Sequence, residues 1–487
     1  MSVYQIIFHL SVCIVISASN SDSVFVIETN GTKIIGRKLV TVFENKPFAA
    51  FWKIPYAAPP LGKLRFKPPN PVRWFNKPVY NYSVPYNESC ALGFTEDCLY
   101  LSIYTPINKH TTLVPVIVWI HEYAYTHGPD FLIDENVIVI TVSFRTTIFG
   151  FLNTGDSFAS GNMGAKDVLT ALRWIRDNIG YFNGDINKVT VFGSGSTAPI
   201  VASLLLSAAG EDLFSRLIIQ DGSALSPADY RSYNFEIMNK LYWNLNGPFE
   251  KFNRTKLYEL LSKSSVKQLF AASYDLFDST EYLLPFEGRR DEYGSKLYRK
   301  IRKKIMDFYF VNGTVGERSL RRYAKYVSDQ VIYPILRQAS LQSQVSCSNV
   351  YLYRFTHRGP FSIVWNTYLR NLKLNGATSG DEICYQFKCK SLKAAYNTVE
   401  VPNERLLIKK IARLLANFAK HGNPTPHPSD PVLEDLQWLP LEPSKSMRVL
   451  NIGSTLKMIK LPEEERMLFW DRLRNDYFPS KEINDEL

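Results

Sequence analysis

The stretch with the most chemical promise is "VTVFGSGSTAP", residues 189–199, where one hydrophobic run enters Gly193-Ser194-Gly195-Ser196-Thr197 and another leaves it. Strand, sharp turn and helix in that order are the setting of a G-x-S-x-G nucleophile elbow, which presents a serine hydroxyl for attack on a carbonyl. Such acyl transfer needs an oxygen nucleophile, an imidazole to carry its proton, a carboxylate to orient the imidazole, and backbone N–H donors for the oxyanion. Here the tip of the turn is Gly195, which has no side chain to attack with. A one-residue shift onto Ser196 would need glycine at 194 and 198, which are Ser194 and Ala198; Ser194 fails equally. Glycine does suit the strained backbone of such a tip, so the turn is expected to persist without its nucleophile.

Holding that turn requires a sheet. "VPVIVWIH" and "VIVITVSF" are near-continuous Val/Ile runs, as expected of strands covered on both faces. "AKDVLTALRWIRDNIGYF" follows as a helix, with Val168, Leu172, Ile175 and Ile179 in one apolar stripe. The strand "KVTVFG", the helix "APIVASLLLSAA" and the strand "RLIIQDG" continue the alternation, which predicts an α/β fold with a mostly parallel central sheet. Upstream, "VFVIETNGTKIIGRK" reads as a hairpin turned at Asn30-Gly31. Beyond Leu225 the pattern is helical, charged and aromatic to about residue 345. A strand "VYLYRF", a helix "ERLLIKKIARLLANFAKHG", a strand "MRVLNI" and a closing helix "EEERMLFWDRLRNDYF" come after it. There is no internal repeat, so residues 20–487 read as one domain with helical insertions.

With 487 residues, 45% of them hydrophobic, the chain can bury a large core, and disorder is excluded. Its 57 Lys+Arg against 46 Asp+Glu give +11, a surplus suited to anionic surfaces or simply to a basic soluble protein. No basic tract longer than "RKKI" concentrates that charge, which argues against nucleic acid. Residues 1–19 read as a signal peptide, and no later run of ~18 apolar residues predicts a membrane span. Asn30, Asn81, Asn87, Asn253 and Asn312 are N-x-S/T acceptors, in keeping with the secretory route. The terminal Asn484-Asp485-Glu486-Leu487 resembles a retrieval signal, so both secretion and the endoplasmic reticulum lumen are expected locations. Loss of the leader removes Cys13 and leaves Cys90, Cys98, Cys347, Cys384 and Cys389: two disulfides and one odd thiol. The C-x4-C pair at 384 and 389 has no companion element or histidine cluster in sequence, so no metal and no cofactor are expected.

Local patterns along most of the mature chain carry a resemblance. "IPYAAPPLGKLRFKPP", "TEDCLYLSIYTP", "FGFLNTGD", "GNMGAKDVLTALRWIRDNIGYFNGD", "IIQDGSAL", "YLYRF" with "RGP", and "FAKHGNPTP" occur in an order and spacing similar to the carboxylesterase/cholinesterase (type B) family of the α/β-hydrolase fold. The resemblance implies that Gly195 stands at the nucleophile position. The family's G-x-x-H-x-D-E stretch matches "GATSGDE", which places Ser379 where the general-base histidine would be. The oxyanion loop, H-G-G-G in the family, is "HEYAY" here: His121 is kept, and Glu122, Tyr123 and Ala124 stand in place of glycines. Glu287, Asp291 and Glu292 are the carboxylates near the expected acid segment, and none is assigned to it. Cys90 and Cys98 align with the family's first disulfide. Cys347, Cys384 and Cys389 have no counterparts, and one of them is expected to be a free buried thiol.

Losses at nucleophile, base and oxyanion loop together imply a secreted or lumenal pseudoenzyme, similar to the neuroligin-, neurotactin- and glutactin-like members, acting through a protein partner or ligand. Two alternatives stand beside it: a carrier of a lipophilic small molecule, and an ester hydrolase with a relocated or weak site. The resemblance also implies pairing through late helices such as "EEERMLFWDRLRNDYF", so both a homodimer and a closing helix packed on its own core are open expectations.

Overall fold

A computed structural model describes residues 23–29, 31–73, 77–86, 90, 95–107, 112–226, 235–246, 251–273, 276, 284–286, 295–310, 319–372, 374, 376–398, 401–443 and 446–478. The leader, the C-terminal tail, Asn30, Asn87, Asn312, Glu287, Asp291 and Glu292 lie outside them. The strands are β1 (Val24–Thr29), β2 (Thr32–Val40), β3 (Pro47–Pro55), β4 (Val79–Asn81), β5 (Tyr100–Pro106), β6 (Val114–Ile120), β7 (His127–Gly128), β8 (Ile138–Val142), β9 (Gly184–Ser194), β10 (Arg216–Gln220), β11 (Tyr353–Phe355), β12 (Lys388–Cys389), β13 (Arg448–Ile452) and β14 (Leu456–Lys460). The first seven helices are α1 (Asp130–Asp134), α2 (Thr147–Phe151), α3 (Met163–Asn178), α4 (Ala198–Ser203), α5 (Phe235–Asn246), α6 (Arg254–Lys263) and α7 (Val266–Ser273). Six more follow: α8 (Lys296–Tyr309), α9 (Leu320–Val345), α10 (Ile383–Gln386), α11 (Lys393–Tyr396), α12 (Pro402–His421) and α13 (Glu464–Tyr477).

Nine strands form one mixed sheet in the order β1-β2-β3-β5-β8-β6-β9-β10, with β4 beside β2. Its centre is parallel: β8 with β6, β6 with β9, and β9 with β10. The continuous Val/Ile runs are explained by which face each residue serves. In β6, Val116, Val118 and Ile120 pack under α3 and α4 with Val168, Leu172, Ile175 and Val201. The intervening Ile117 and Trp119 face the other way, against Ile408, Ile411 and Leu415 of α12. Side chains alternate across a strand, so a strand covered on both faces has no polar position left. Each fully buried aliphatic contributes roughly 2 kcal/mol.

The helical region after Leu225 divides between two further clusters. One joins α2 to α5, α6 and α7 through Phe149, Met238, Leu257 and Leu269; the other joins α8, α9 and α13 through Ile301, Tyr333 and Trp470. Buried Arg145 grips buried Asp167 of α3 with two side-chain bonds, Nε to Oδ2 at 2.8 Å and Nη2 to Oδ1 at 2.7 Å. Its backbone N–H adds a third to Oδ2 at 3.1 Å.

Cys90 is bridged to Cys98, and Cys384 to Cys389. Cys347 is the thiol left over; it is exposed, not buried as expected, because it follows the last residues of α9 at the surface. Asn81 and Asn253 are exposed. Among the described residues no helix is long and apolar enough to cross a membrane.

Candidate functional site

β9 runs straight into the turn at Gly195, which has φ +60° and opens a short 3-10 turn, Gly195–Thr197, ahead of α4. Thr197 ties the turn down: its hydroxyl donates to the Ile120 carbonyl at 2.6 Å, and its Oγ1 accepts the Ser194 N–H at 3.0 Å. The turn is thus fastened to the end of the neighbouring strand β6. A β-carbon built on Gly195 would meet nothing within 4 Å, so space for a side chain remains and only backbone conformation opposes one. Gly222, after β10, lies so close that a β-carbon there would be 3.0 Å from the Gly195 carbonyl oxygen, which brings the β10 loop to the elbow.

That loop supplies the residue that sequence reasoning missed. Ser379 lies directly against Asp221, donating its hydroxyl hydrogen to Asp221 Oδ2. Asp221 is the residue after β10, held at φ +58°. Burial pushes its carboxyl up, and the Ser379 hydroxyl pulls it back down. Behind it sits Glu382, 5% exposed, whose carboxyl is pushed up to about 8 by burial and secondarily by the charge of Asp221. Gln220 donates to Glu382 Oε1 at 2.7 Å and accepts from Gln386 Nε2 at 2.7 Å; the Tyr353 hydroxyl also donates to the Gln220 amide oxygen. The signal was present in "IIQDG": a carboxylate at the carboxyl end of a parallel strand, where α/β sheets place their ligand crevices.

The loop after β6 forms the other wall. His121 accepts the Tyr123 N–H at Nδ1 over 3.1 Å and stacks on Trp119, 4.7 Å between centroids. Burial holds its pKa down to about 3, so the ring is neutral. Glu122 reaches across to the elbow and accepts from Ser196 Oγ at 3.0 Å; burial raises its pKa and the Ser196 bond lowers it. Tyr123 is 39% exposed and Ala124 is buried in a 3-10 turn. Beneath His121 and Glu122 the cavity is only about 30 Å³, bordered by Tyr100, Tyr104 and Ser143, room for about one water.

The site therefore contains two hydroxyl–carboxylate pairs, Ser196–Glu122 at the turn and Ser379–Asp221 next to Gly222, whose backbone approaches Gly195. Neither hydroxyl is hydrogen-bonded to an imidazole among the described residues. A carboxylate can order a hydroxyl, but with a pKa so far below that of serine it is a poor acceptor of the proton that attack would release.

Residues 23–293 and 286–470 match the model of the carboxylesterase family. The chain belongs to the carboxylesterase family. Curated relatives include a carboxylic ester hydrolase of Bombus ignitus, 35% identical over 59% of this chain and 56% of that protein. Carboxylesterase 1C of Mus musculus is 26% identical over 92% of this chain and 93% of its own. At the higher identities the chain spans about half the length of the curated relatives it matches. The crystal structure of juvenile hormone esterase from Manduca sexta, with OTFP covalently attached, aligns with 93% of this carboxylesterase-family chain and 100% of its own at TM-score 0.75 and 21% identity. This confirms the α/β-hydrolase fold.

Proposed function

We propose that this carboxylesterase-family protein is non-catalytic and works by binding, as a secreted or lumenal scaffold. The observation that carries this reading is the Ser379–Asp221 pair facing a turn tipped by Gly195. Where a base would take a proton stands a hydroxyl already donating to a carboxylate, and where a nucleophile would stand there is no side chain. The half-buried Glu122 adds a carboxylate where an oxyanion would form, which repels it. Two disulfides suit an oxidising compartment.

The test is exposure of the purified protein to a fluorophosphonate probe beside an active esterase, with adducts mapped by mass spectrometry. No adduct supports the reading. Labelling of Ser196 at the control's rate overturns it, because Ser196–Glu122 would then be a relocated catalytic pair.

A second reading has its own observation. A cavity of about 630 Å³ opens between β10, the end of α9 and α12, bordered by Phe214, Arg216, Ile219, Tyr351, Phe418 and Trp438. Its size and apolar walls suit a lipophilic small molecule. Organic extraction of the purified protein followed by mass spectrometry checks it: a stoichiometric apolar ligand makes the scaffold a carrier, and none leaves a protein partner.

A further inference from the structure

β12 pairs antiparallel with β7, and the register sets Cys389 directly opposite His127. Directly opposed residues project to the same face of a two-stranded ladder. The short helix α10 brings Cys384 to the same corner, so the two sulfur atoms and a ring nitrogen of His127 all lie within 4.8 Å of one another. The chain sequence hides this grouping, because His127 comes from a strand far upstream of the two cysteines.

The surroundings are arranged as around a metal ligand. His127 Nδ1 lies 3.2 Å from the Tyr123 carbonyl oxygen, which can only accept, and 2.9 Å from Thr126 Oγ1. The Thr126 hydroxyl in turn donates to that same carbonyl at 2.7 Å, so its oxygen is left to accept from the ring. Nδ1 therefore carries the proton and Nε2 the lone pair. A histidine oriented by a backbone carbonyl in this way is the usual form of a metal-bound imidazole. Tyr396 clamps both cysteine backbones, donating to the Cys384 carbonyl at 2.7 Å and accepting the Cys389 N–H at 3.2 Å. The two α-carbons are thus held near each other whether or not the sulfurs are bonded.

We propose that reduction of the Cys384–Cys389 bridge converts this corner into a Zn²⁺ site, with both thiolates and His127 Nε2 as ligands and an exogenous donor in the fourth position. A dithiol supplies the two electrons: the S–S bond breaks, two thiols form, and the dithiol closes to its own disulfide. Zn²⁺ then displaces both thiol protons to solvent and keeps its oxidation state. Tetrahedral Zn²⁺ with bonds of about 2.3 Å to sulfur and about 2.0 Å to nitrogen sets its ligand atoms about 3.5–3.8 Å apart, which side-chain rotation reaches from the present spacing. Two thiolates cancel the ion's charge, so the complex is neutral, as a corner with both cysteines 3% exposed requires.

The test uses the chain from residue 20 carrying Cys347→Ser, Cys90→Ser and Cys98→Ser, so that Cys384 and Cys389 are its two remaining cysteines. The protein is reduced with excess dithiol, desalted without oxygen and titrated with Co²⁺. Expected are two free thiols in a folded chain, one Co²⁺ bound with sulfur-to-cobalt charge-transfer absorption, and its displacement by Zn²⁺. His127→Ala should weaken Co²⁺ binding roughly tenfold or more while the two thiols still appear. The oxidised protein should give no band. Any of three results overturns the proposal: no charge-transfer band once both thiols are free, unchanged affinity in His127→Ala, or loss of near-ultraviolet circular dichroism on reduction.

Discussion

Glu382→Gln should stabilise the protein increasingly as pH rises from about 4.5 to 8. Glu382 is buried behind Asp221, with one carboxyl oxygen held by Gln220 at 2.7 Å. Its carboxyl is raised from 4.5 to about 8, first by burial and then by the neighbouring charge of Asp221. Between those values the folded chain keeps a proton that the unfolded chain has released. Folding takes up a proton there, so its stability falls with pH at up to about 1.4 kcal/mol per unit. The loss begins near 4.5 and levels off above 8. Glutamine keeps an amide oxygen for Gln220 and has nothing to ionise. The variant should therefore match the native chain at pH 4.5 and exceed it by up to about 3 kcal/mol at pH 7, from the 2.5 units between them. Urea unfolding of both proteins at pH 5, 6, 7 and 8 measures the difference. Parallel pH profiles would refute the reasoning, since Glu382 would then ionise in the fold as easily as in water.

Gly195→Ser should fold, at a cost of about 1–2 kcal/mol for the positive φ, and still resist fluorophosphonate, because Ser379 cannot take its proton. Adding Ser379→His places an imidazole against Asp221, and labelling of the introduced hydroxyl at position 195 is expected once Glu122→Gly and Tyr123→Gly also open the oxyanion loop; probe mass spectrometry reads each variant. Arg145→Met strands Asp167 in the core and should lower stability by about 3–5 kcal/mol in denaturant titration, whereas an exposed pair such as Lys240–Glu236 should cost under about 1 kcal/mol. Loss of the Cys90–Cys98 bridge through paired serines should cost about 2–3 kcal/mol for so short a loop, measured the same way. Asn253 caps α6 through its Oδ1, which accepts the Lys256 N–H at 3.0 Å, so its Nδ2 remains available for a glycan. Enzymatic deglycosylation of protein from a eukaryotic secretory host should show occupancy there and at exposed Asn81.

The sheet was legible because burial on both faces forces a continuous Val/Ile pattern, and the stripe of Val168, Leu172 and Ile175 in α3 with Ile179 just after it is buried throughout. The hairpin at Gly31 followed from turn chemistry and holds in the register Thr29 to Thr32. The helical region from 235 to 345 was legible in type only, because amphipathic helices on a charged surface do not announce which cluster they will join. The C-terminal strand β14 was missed: "LKMIK" is short, and its residues are half-buried or exposed, so the alternation is weak.

The candidate site was legible in its losses and illegible in its replacements. A missing nucleophile can be read from one position, since Gly195 lacks the atom that chemistry needs. What stands in its place depends on pairs drawn from distant segments: Ser379 with Asp221, Ser196 with Glu122, Cys389 with His127. These pairs bear on how the site would change under mutation. Glu122 and Asp221 are each raised by burial and lowered by their serine partner, so removing either hydroxyl leaves a more poorly solvated carboxylate. Each serine thus has a structural reason to remain that owes nothing to catalysis. On the proposed reading, hydrolysis could return only if a hydroxyl at 195, an imidazole at 379 and an open oxyanion loop at 122–124 arrived together, and each change alone would cost stability without yielding turnover.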